Sequence, residues 1–237
     1  MPASSLLLPV SSSTNPEAST TTVVARSPSS TTTSVLASSA PQSTLPQYSG
    51  SIRELDPSLI AQITPTSWRE GCPVAPAELR LVEVTHVSYE GEATSGELIV
   101  HRDHAEGIAE VFAQLYDARF PVASVLLVDV FAGDDGKSMQ ANNTSAFNCR
   151  EVASKPGVWS NHAFGTAIDV NPLVNPFVQG DLVDPPDGRP FVDRALGEPG
   201  MIVADDVVVS AFASIGWAWG GTWSSAKDYQ HFSANGR

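Results

Sequence analysis

The sequence is poor in positive charge and contains no long apolar stretch. Its 237 residues include 13 Lys and Arg against 26 Asp and Glu, which gives a formal net charge of −13. Because nucleic-acid binding needs clustered Lys and Arg, this balance argues against a nucleic-acid partner. No apolar run approaches the roughly 18 residues that a membrane-spanning helix needs, so we expect no integral membrane segment.

Cysteine is also scarce. Cys72 and Cys149 are the only two, and they do not form a C-x-x-C motif. Two cysteines do not make a disulfide framework. The sequence leaves open whether they form a single bridge, which an exported protein permits, or remain two buried thiols.

The first fifty residues differ in composition from the rest of the chain. Ser and Thr fill 22 of these positions, and Glu17 and Arg26 are the only charged residues among them. Such a segment buries too little apolar surface to offset the entropy lost on ordering it. We therefore expect residues 1–50 to be a disordered stalk or tail. Residues 51–237 form the expected folded domain, with its core in residues 78–237.

The folded part carries signals for several strands. Residues 78–88 and 96–101 are rich in Leu, Val and Ile and predict a pair of strands joined by a hairpin loop. The apolar run 122–131 predicts a buried strand. The polar residues 133–148 predict a long loop, which in a compact domain is usually functional or disordered.

Two helices complete the pattern. Apolar residues at helical spacing predict an amphipathic helix that begins after Asp103, as its N-cap, and runs to about Arg119. A second helix is predicted to start at Asp205 or Asp206. Strands interleaved with two helices in this order predict an α+β fold with a small, mainly antiparallel sheet.

The segment WSNHAFGTAIDVNP, residues 159–172, carries the first chemical signal. It contains His162 and Asp169, and Gly165 between them permits the tight bend that lets both side chains converge. Neutral imidazole and carboxylate are good zinc ligands. A structural His hydrogen-bonded to an Asp has the same pattern, so both interpretations stay open here.

The second signal is the segment KDYQHF, in which Asp228 precedes His231 by three residues. This spacing puts both side chains on one side of a helical turn but on opposite faces of a flat strand. A shared site therefore predicts a turn or helical conformation at residues 228–231. The alternative is a surface Asp beside a core His. The two segments together supply three zinc ligands and a spare carboxylate, the set that a metallohydrolase requires.

The other histidines, His86, His101 and His104, are expected to be structural or surface residues.

These motifs resemble those of a known family. The pattern S-x-H-x-x-G-x-A-x-D, matched from Ser160 to Asp169, resembles the first zinc motif of the zinc D-alanyl-D-alanine carboxypeptidases. That family includes vancomycin-resistance D,D-peptidases and phage L-alanyl-D-glutamate endolysins. Its second motif, an acidic residue three before a His, is matched by Asp228 and His231. The aromatic stretch GWAWGGTW before KDYQHF resembles the endolysin-like and D,D-carboxypeptidase-like branch.

The resemblance covers roughly residues 78–237. It implies the small α+β zinc fold of the Hedgehog and D,D-peptidase type, with one Zn²⁺ per chain bound by His162, Asp169 and His231. It also implies that Asp228 is the general base, which activates the zinc-bound water and then protonates the leaving amine. The wider family often has Glu at the position of Asp228 and Trp at that of Gln230.

Two further roles follow from the resemblance. Arg150 is the best match to the arginine that polarises the scissile carbonyl, although the usual Ser-Gly-Tyr-Arg is here Phe-Asn-Cys-Arg. A salt bridge to one of the many acidic residues is the alternative for Arg150. Ser160 would contact the substrate.

The resemblance thus implies a secreted or cell-wall-associated, monomeric zinc peptidase that hydrolyses peptidoglycan stem peptides. A D-alanyl-D-alanine carboxypeptidase is the first candidate. An L-alanyl-D-glutamate endopeptidase and a non-catalytic wall-binding module on the same fold are alternatives. A globular domain with purely structural His and Asp residues is a third.

Overall fold

The structure is a computed structural model that describes residues 45–153 and 155–237. Its α-helices are α1 (Pro57–Ile63), α2 (Ala105–Asp117), α3 (Asp135–Gln140) and α4 (Val207–Ser214). Its strands are β1 (Gly50–Glu54), β2 (Leu79–Val87), β3 (Ala93–His101), β4 (Ser124–Val125), β5 (Asn143–Thr144), β6 (Glu151–Val152), β7 (Lys155–Trp159), β8 (Ala167–Asp169), β9 (Phe177–Gln179), β10 (Leu182–Asp184), β11 (Ala218–Trp219), β12 (Lys227–Asp228) and β13 (His231–Ser233).

The strands form several small sheets, where the sequence predicts a single one. Three sheets have three strands each, in the orders β1-β2-β3, β10-β9-β12 and β11-β13-β8. Every pair within them is antiparallel. The short pair β4–β5 is parallel. The predicted α+β class with a mainly antiparallel sheet is therefore confirmed.

Helix α2 covers one face of the first sheet. It packs on β2 through Ile108, Val111, Phe112 and Leu115, all buried, whose spacing forms the apolar stripe of an amphipathic helix. Burying each of the larger side chains contributes roughly 1.5–3 kcal/mol. The same core extends to α4 and to Phe232 of β13, so the strand that carries His231 is anchored in the main core.

The predicted start of this helix was wrong by one residue, because the N-cap is His104 and not Asp103. A 3-10 turn, Arg102–His104, precedes α2, and the imidazole of His101 accepts a hydrogen bond from the backbone N–H of Asp103. Asp103 therefore lies inside a tight turn and does not cap the helix. The second helix agrees with its prediction, because the Asp206 carboxylate accepts from the N–H of Val209 and caps α4.

The apolar run 122–131 does not form one strand. Only Ser124–Val125 is extended, and a 3-10 turn follows at Val128–Phe131. The side chain of Asn143 accounts for the break: its Oδ1 accepts from the N–H of Leu126 at 2.9 Å, and its Nδ2 donates to the Leu126 carbonyl at 3.0 Å. A buried amide thus replaces the partner strand at that point.

The predicted loop 133–148 contains regular structure. Asp134 accepts from the N–H of Lys137 and caps α3, and β5 follows. The prediction of a featureless loop was wrong because these capping and amide contacts are local side-chain effects that polar composition conceals.

Three other expectations concern the first fifty residues, the two cysteines and the absence of a membrane segment. Of the predicted disordered segment, residues 1–44 lie outside the described residues. The part from residue 45 contacts α2, where the Tyr48 hydroxyl donates to the Ala109 carbonyl at 3.0 Å. Cys72 and Cys149 form a disulfide, which settles the alternative that the sequence left open. No helix in the described part of the chain is long and apolar enough to span a membrane.

Candidate metal centre

His162 lies in a short turn that Ser160 caps at its start and Gly165 ends. The Ser160 hydroxyl accepts from the N–H of His162 at 3.3 Å and caps a 3-10 turn over Asn161–Phe164. Gly165 ends this turn with a φ of +69°, and a Cβ there would lie 2.5 Å from the backbone nitrogen of His101. Both the backbone angle and the space require glycine at this position. The bend that the sequence predicts is therefore present.

Asp169 and His231 are brought together by strand pairing. They are direct partners in the antiparallel register of β8 and β13. Directly opposite residues point to the same face of a sheet, so the carboxylate meets the imidazole. Asp169 Oδ1 lies 3.0 Å from His231 Nδ1, and Asp169 Oδ2 lies 3.2 Å from His162 Nε2. One ligand atom from each residue lies within 4.8 Å of the other two, and all three residues are buried.

The outer nitrogen of each imidazole contacts a backbone carbonyl. His162 Nδ1 lies 2.6 Å from the Ala146 oxygen, and His231 Nε2 lies 3.1 Å from the Arg237 oxygen. A carbonyl only accepts, so each outer nitrogen carries a proton. In a neutral imidazole the inner nitrogen then presents a lone pair. Two such lone pairs and a carboxylate converge, a donor set that fits Zn²⁺, and a carbonyl behind a metal-binding His is a common supporting contact.

The pKa shifts of Asp169 and His231 also indicate that this site favours an added positive charge. Burial by itself would raise the pKa of Asp169, but the neighbouring imidazoles of His162 and His231 lower that pKa well below its ordinary range. Burial by itself would lower the pKa of His231, but the hydrogen bond and the negative charge of Asp169 raise that pKa to about 9. In the metal-free protein a proton supplies the charge that a divalent cation would otherwise supply.

Asp228 lies beside this group on β12, which pairs with β9 in a different sheet. After β12 the chain bends at residues 229–230 before β13 begins at His231, which agrees with the predicted turn. Asp228 Oδ1 is buried and has no hydrogen-bond partner among the described residues. Burial raises the pKa of Asp228 to about 7, although the charge of His231 acts in the opposite direction. A carboxyl group that exchanges a proton near neutral pH suits general acid–base work.

Arg150 forms an ion pair. Its Nη2 lies 2.7 Å from Asp135 Oδ2, and about a third of its side chain is exposed. Its positive charge still lowers the pKa of Asp228, so Arg150 is within electrostatic reach of the site. Arg150 Nε is buried and lacks a partner within the described residues. The structure therefore contains the salt bridge that was one of the two roles considered for Arg150. Its role at the scissile carbonyl remains a prediction.

The structure also brings in groups that the sequence analysis missed. The carbonyls of Ala146 and Arg237 carry no side-chain signature, so no motif could reveal them. Trp223, which belongs to the aromatic stretch noted in the sequence, is half-buried, with its ring centroid 5.6 Å from that of His231. Ser160, expected at the substrate, is buried, and its hydroxyl caps the turn that carries His162.

A buried His₂Asp group with a spare carboxylate on an α+β scaffold is the donor arrangement of a metallohydrolase. Residues 153–234 match the model of a peptidase family described as D-alanyl-D-alanine carboxypeptidase. The match includes His162, Asp169, Asp228 and His231 but not Arg150, and it supports a peptidase of this family. No curated protein and no solved structure gave a significant match to the chain.

Proposed function

We propose that the protein is a zinc-dependent peptidase that hydrolyses peptidoglycan stem peptides, acting as a D-alanyl-D-alanine carboxypeptidase. The observation that carries the proposal is the convergence of His162, Asp169 and His231 within 4.8 Å of one another. The peptidase family match over residues 153–234 supports the same reaction class. When bound by these three residues, Zn²⁺ would polarise a carbonyl and lower the pKa of a water molecule.

Asp228 is the proposed general base. Its buried Oδ1 has no hydrogen-bond partner in residues 45–153 and 155–237, so it is free to accept a proton from the attacking water. The same carboxyl group then passes that proton to the leaving amine. In the metal-free protein, burial raises the pKa of Asp228 to about 7; a carboxyl group whose pKa is raised holds a proton more readily, which suits its transfer to the leaving amine.

Arg150 is the proposed stabiliser of the developing oxyanion. A positive charge aimed at the scissile carbonyl stabilises the tetrahedral state more than the ground state. The ion pair with Asp135 occupies Nη2, which leaves the other guanidinium nitrogens for the substrate.

The proposed location is outside the cell or in the cell wall. The disulfide between Cys72 and Cys149 supports it, because disulfides persist in oxidising compartments and are rare in the cytosol. Peptidoglycan stem peptides are found in the same place.

The test combines metal analysis with product analysis. Purified protein is expected to hold about one zinc per chain and to release D-alanine from muropeptides, as identified by mass. Asp228→Ala should keep the zinc and lose roughly 10²–10⁴-fold in kcat, whereas His231→Ala should lose both. Lys227→Ala is the matched control in the same strand and should retain activity.

Other outcomes would change the proposal. Cleavage between L-alanine and D-glutamate would indicate an endopeptidase. Bound zinc without any release of D-alanine or peptide fragments would indicate a wall-binding module. Full activity of Asp228→Ala would exclude it as the general base.

A further inference from the structure

The four residues that follow β13 fold back over His231. The N–H of Ala234 donates to the Thr166 carbonyl, and the N–H of Gly236 donates to the Ser233 carbonyl. The indole of Trp223 donates to the Gly236 carbonyl at 2.9 Å. This short segment is therefore fixed by its backbone along its length, although it contains no helix or strand.

Asn235 ties the segment to the other half of the candidate site. Its side-chain amide and that of Asn161 exchange two hydrogen bonds, of 3.0 and 2.8 Å. Asn161 immediately precedes His162. Asn235 Oδ1 also accepts from the backbone N–H of Arg237 at 3.0 Å, so one amide links the turn that carries His162 to the residue whose oxygen contacts His231.

These contacts fix the position of the backbone oxygen of Arg237. The Arg237 oxygen accepts from the Ser233 hydroxyl at 3.0 Å and from Asn161 Nδ2. The same oxygen lies 3.1 Å from His231 Nε2. With its carbonyl held from two sides, Arg237 is a fixed acceptor for the imidazole proton.

We propose that residues Asn235–Arg237, here called the 235–237 clamp, position His231 for metal binding. The clamp holds the outer nitrogen of His231 protonated and sets the angle of its ring, so that Nδ1 presents its lone pair beside Asp169. This inference rests on the proposed metal centre. The clamp lies beyond the residues that match the peptidase family, which end at residue 234.

The side chain of Arg237 is not part of the clamp. It is exposed, and its contact with His231 runs through the backbone oxygen. Replacing this side chain should leave the carbonyl in place, whereas removing Asn235 or the whole segment should release it. These opposite expectations separate positioning by the backbone oxygen from an effect of the Arg237 side chain.

The experiment measures zinc affinity of the full chain by competition with a chromogenic chelator. Three variants are compared with the parent: Asn235→Ala, deletion of residues 235–237, and Arg237→Ala as the control. Loss of an outer partner of a metal-binding His typically costs 10–100-fold in affinity. We expect Kd to rise about tenfold in Asn235→Ala and up to about 100-fold in the deletion, with no change in Arg237→Ala.

Two further readouts exclude a merely structural role. The Co²⁺-loaded protein reports the ligand geometry, so its visible absorption should change in Asn235→Ala and not in Arg237→Ala. Thermal unfolding of the metal-free proteins identifies any variant that has lost its fold. If the deletion does not fold, Asn235→Ala, which removes only side-chain contacts, provides the test.

The clamp is overturned if Asn235→Ala and the deletion bind zinc as tightly as the parent. It is also overturned if Arg237→Ala weakens binding as much as the deletion does, because the side chain would then be responsible. A parent protein that binds no zinc would instead overturn the proposed metal centre. The two failures are therefore distinguishable.

Discussion

Asp169 and His231 are 62 residues apart in the chain, yet they are direct cross-strand partners, with Asp169 Oδ1 3.0 Å from His231 Nδ1. The backbone pairing of two strands therefore sets the distance between two of the proposed metal ligands. Because neither residue lies on a loop, the pair is held in place before any ligand arrives, which is the arrangement expected of a preorganised site.

Removing the charge of Asp169 should abolish metal binding. Asp169→Asn keeps the size of the side chain but removes the negative charge that lies between two imidazoles. We expect the zinc affinity to fall by more than the 10–100-fold that an outer partner costs, and the zinc content, measured by mass spectrometry, to fall well below one per chain. Asp181→Asn, an exposed aspartate in the turn between β9 and β10, should bind as the parent does. Equal zinc content in the two variants would contradict the assignment.

Mutations can distinguish the proposed role of Arg150 at the oxyanion from the role of its ion pair with Asp135. If Arg150 stabilises the oxyanion, Arg150→Ala should lower kcat roughly 10²–10³-fold, while zinc content stays the same. Asp135→Asn breaks the ion pair but leaves the guanidinium, so its kcat should change much less. Similar losses in both variants would show that the salt bridge alone matters. Steady-state kinetics on a muropeptide substrate measures both.

The disulfide should stabilise the fold and support Arg150. It joins residues 77 positions apart, and closing a loop of that size contributes ~4 kcal/mol on the chain-entropy model. Cys72→Ser should lower the free energy of unfolding in urea by up to that amount, and reduction of the parent should have the same effect. Because Cys149 adjoins Arg150, activity should fall further than in other variants of equal stability. An equal loss would remove the link to Arg150.

How much of the site the sequence predicts depends on the kind of contact. The residues His162, Asp169, Asp228 and His231 stand in spaced motifs, so they could be found without coordinates. The ion pair with Asp135 could not be found in this way, because the chain contains many acids and no local pattern selects one. The two supporting carbonyls are invisible to any analysis of side chains.

The fold likewise contains some features that the sequence predicts and others that only the structure reveals. Helices α2 and α4 follow from apolar periodicity, which reflects burial on one face. The run 122–131 is apolar enough for a strand, but the amide of Asn143 bonds to both backbone groups of Leu126. A single long-range side chain thus overrides a local propensity, and only tertiary structure reveals it.

His86 should lower the stability of the metal-free protein as the pH falls, whereas the raised pKa values of Asp228 and His231 act in the opposite direction over the same range. This residue is buried in β2, and its Nδ1 has no hydrogen-bond partner in the described residues. Burial lowers its pKa below the ordinary value of 6.5. The unfolded chain therefore takes up a proton that the folded chain resists, so this stability is present above pH 6.5 and is lost as the pH falls.

The measurement is urea unfolding in the presence of a chelator between pH 7.5 and pH 5. The slope from one such group is at most about 1.4 kcal/mol per pH unit. Relative to its own stability at pH 7.5, His86→Leu should be more stable at pH 5 than the parent, whereas Thr94→Val, a change in the cross-strand partner of His86, should match the parent. Parallel profiles for the parent and His86→Leu would rule out this contribution.

The pairing of β8 with β13 has a consequence for engineering. The chain between Val170 and Gln230 includes α4, which shares the core with Phe232, and β11, which pairs with β13, so most of this stretch supports the paired strands. A slip of one residue in that pairing would turn the His231 imidazole to the opposite face of the sheet. Changes in length should therefore be tolerated in exposed turns such as residues 180–181 between β9 and β10, as long as the strand alignment survives.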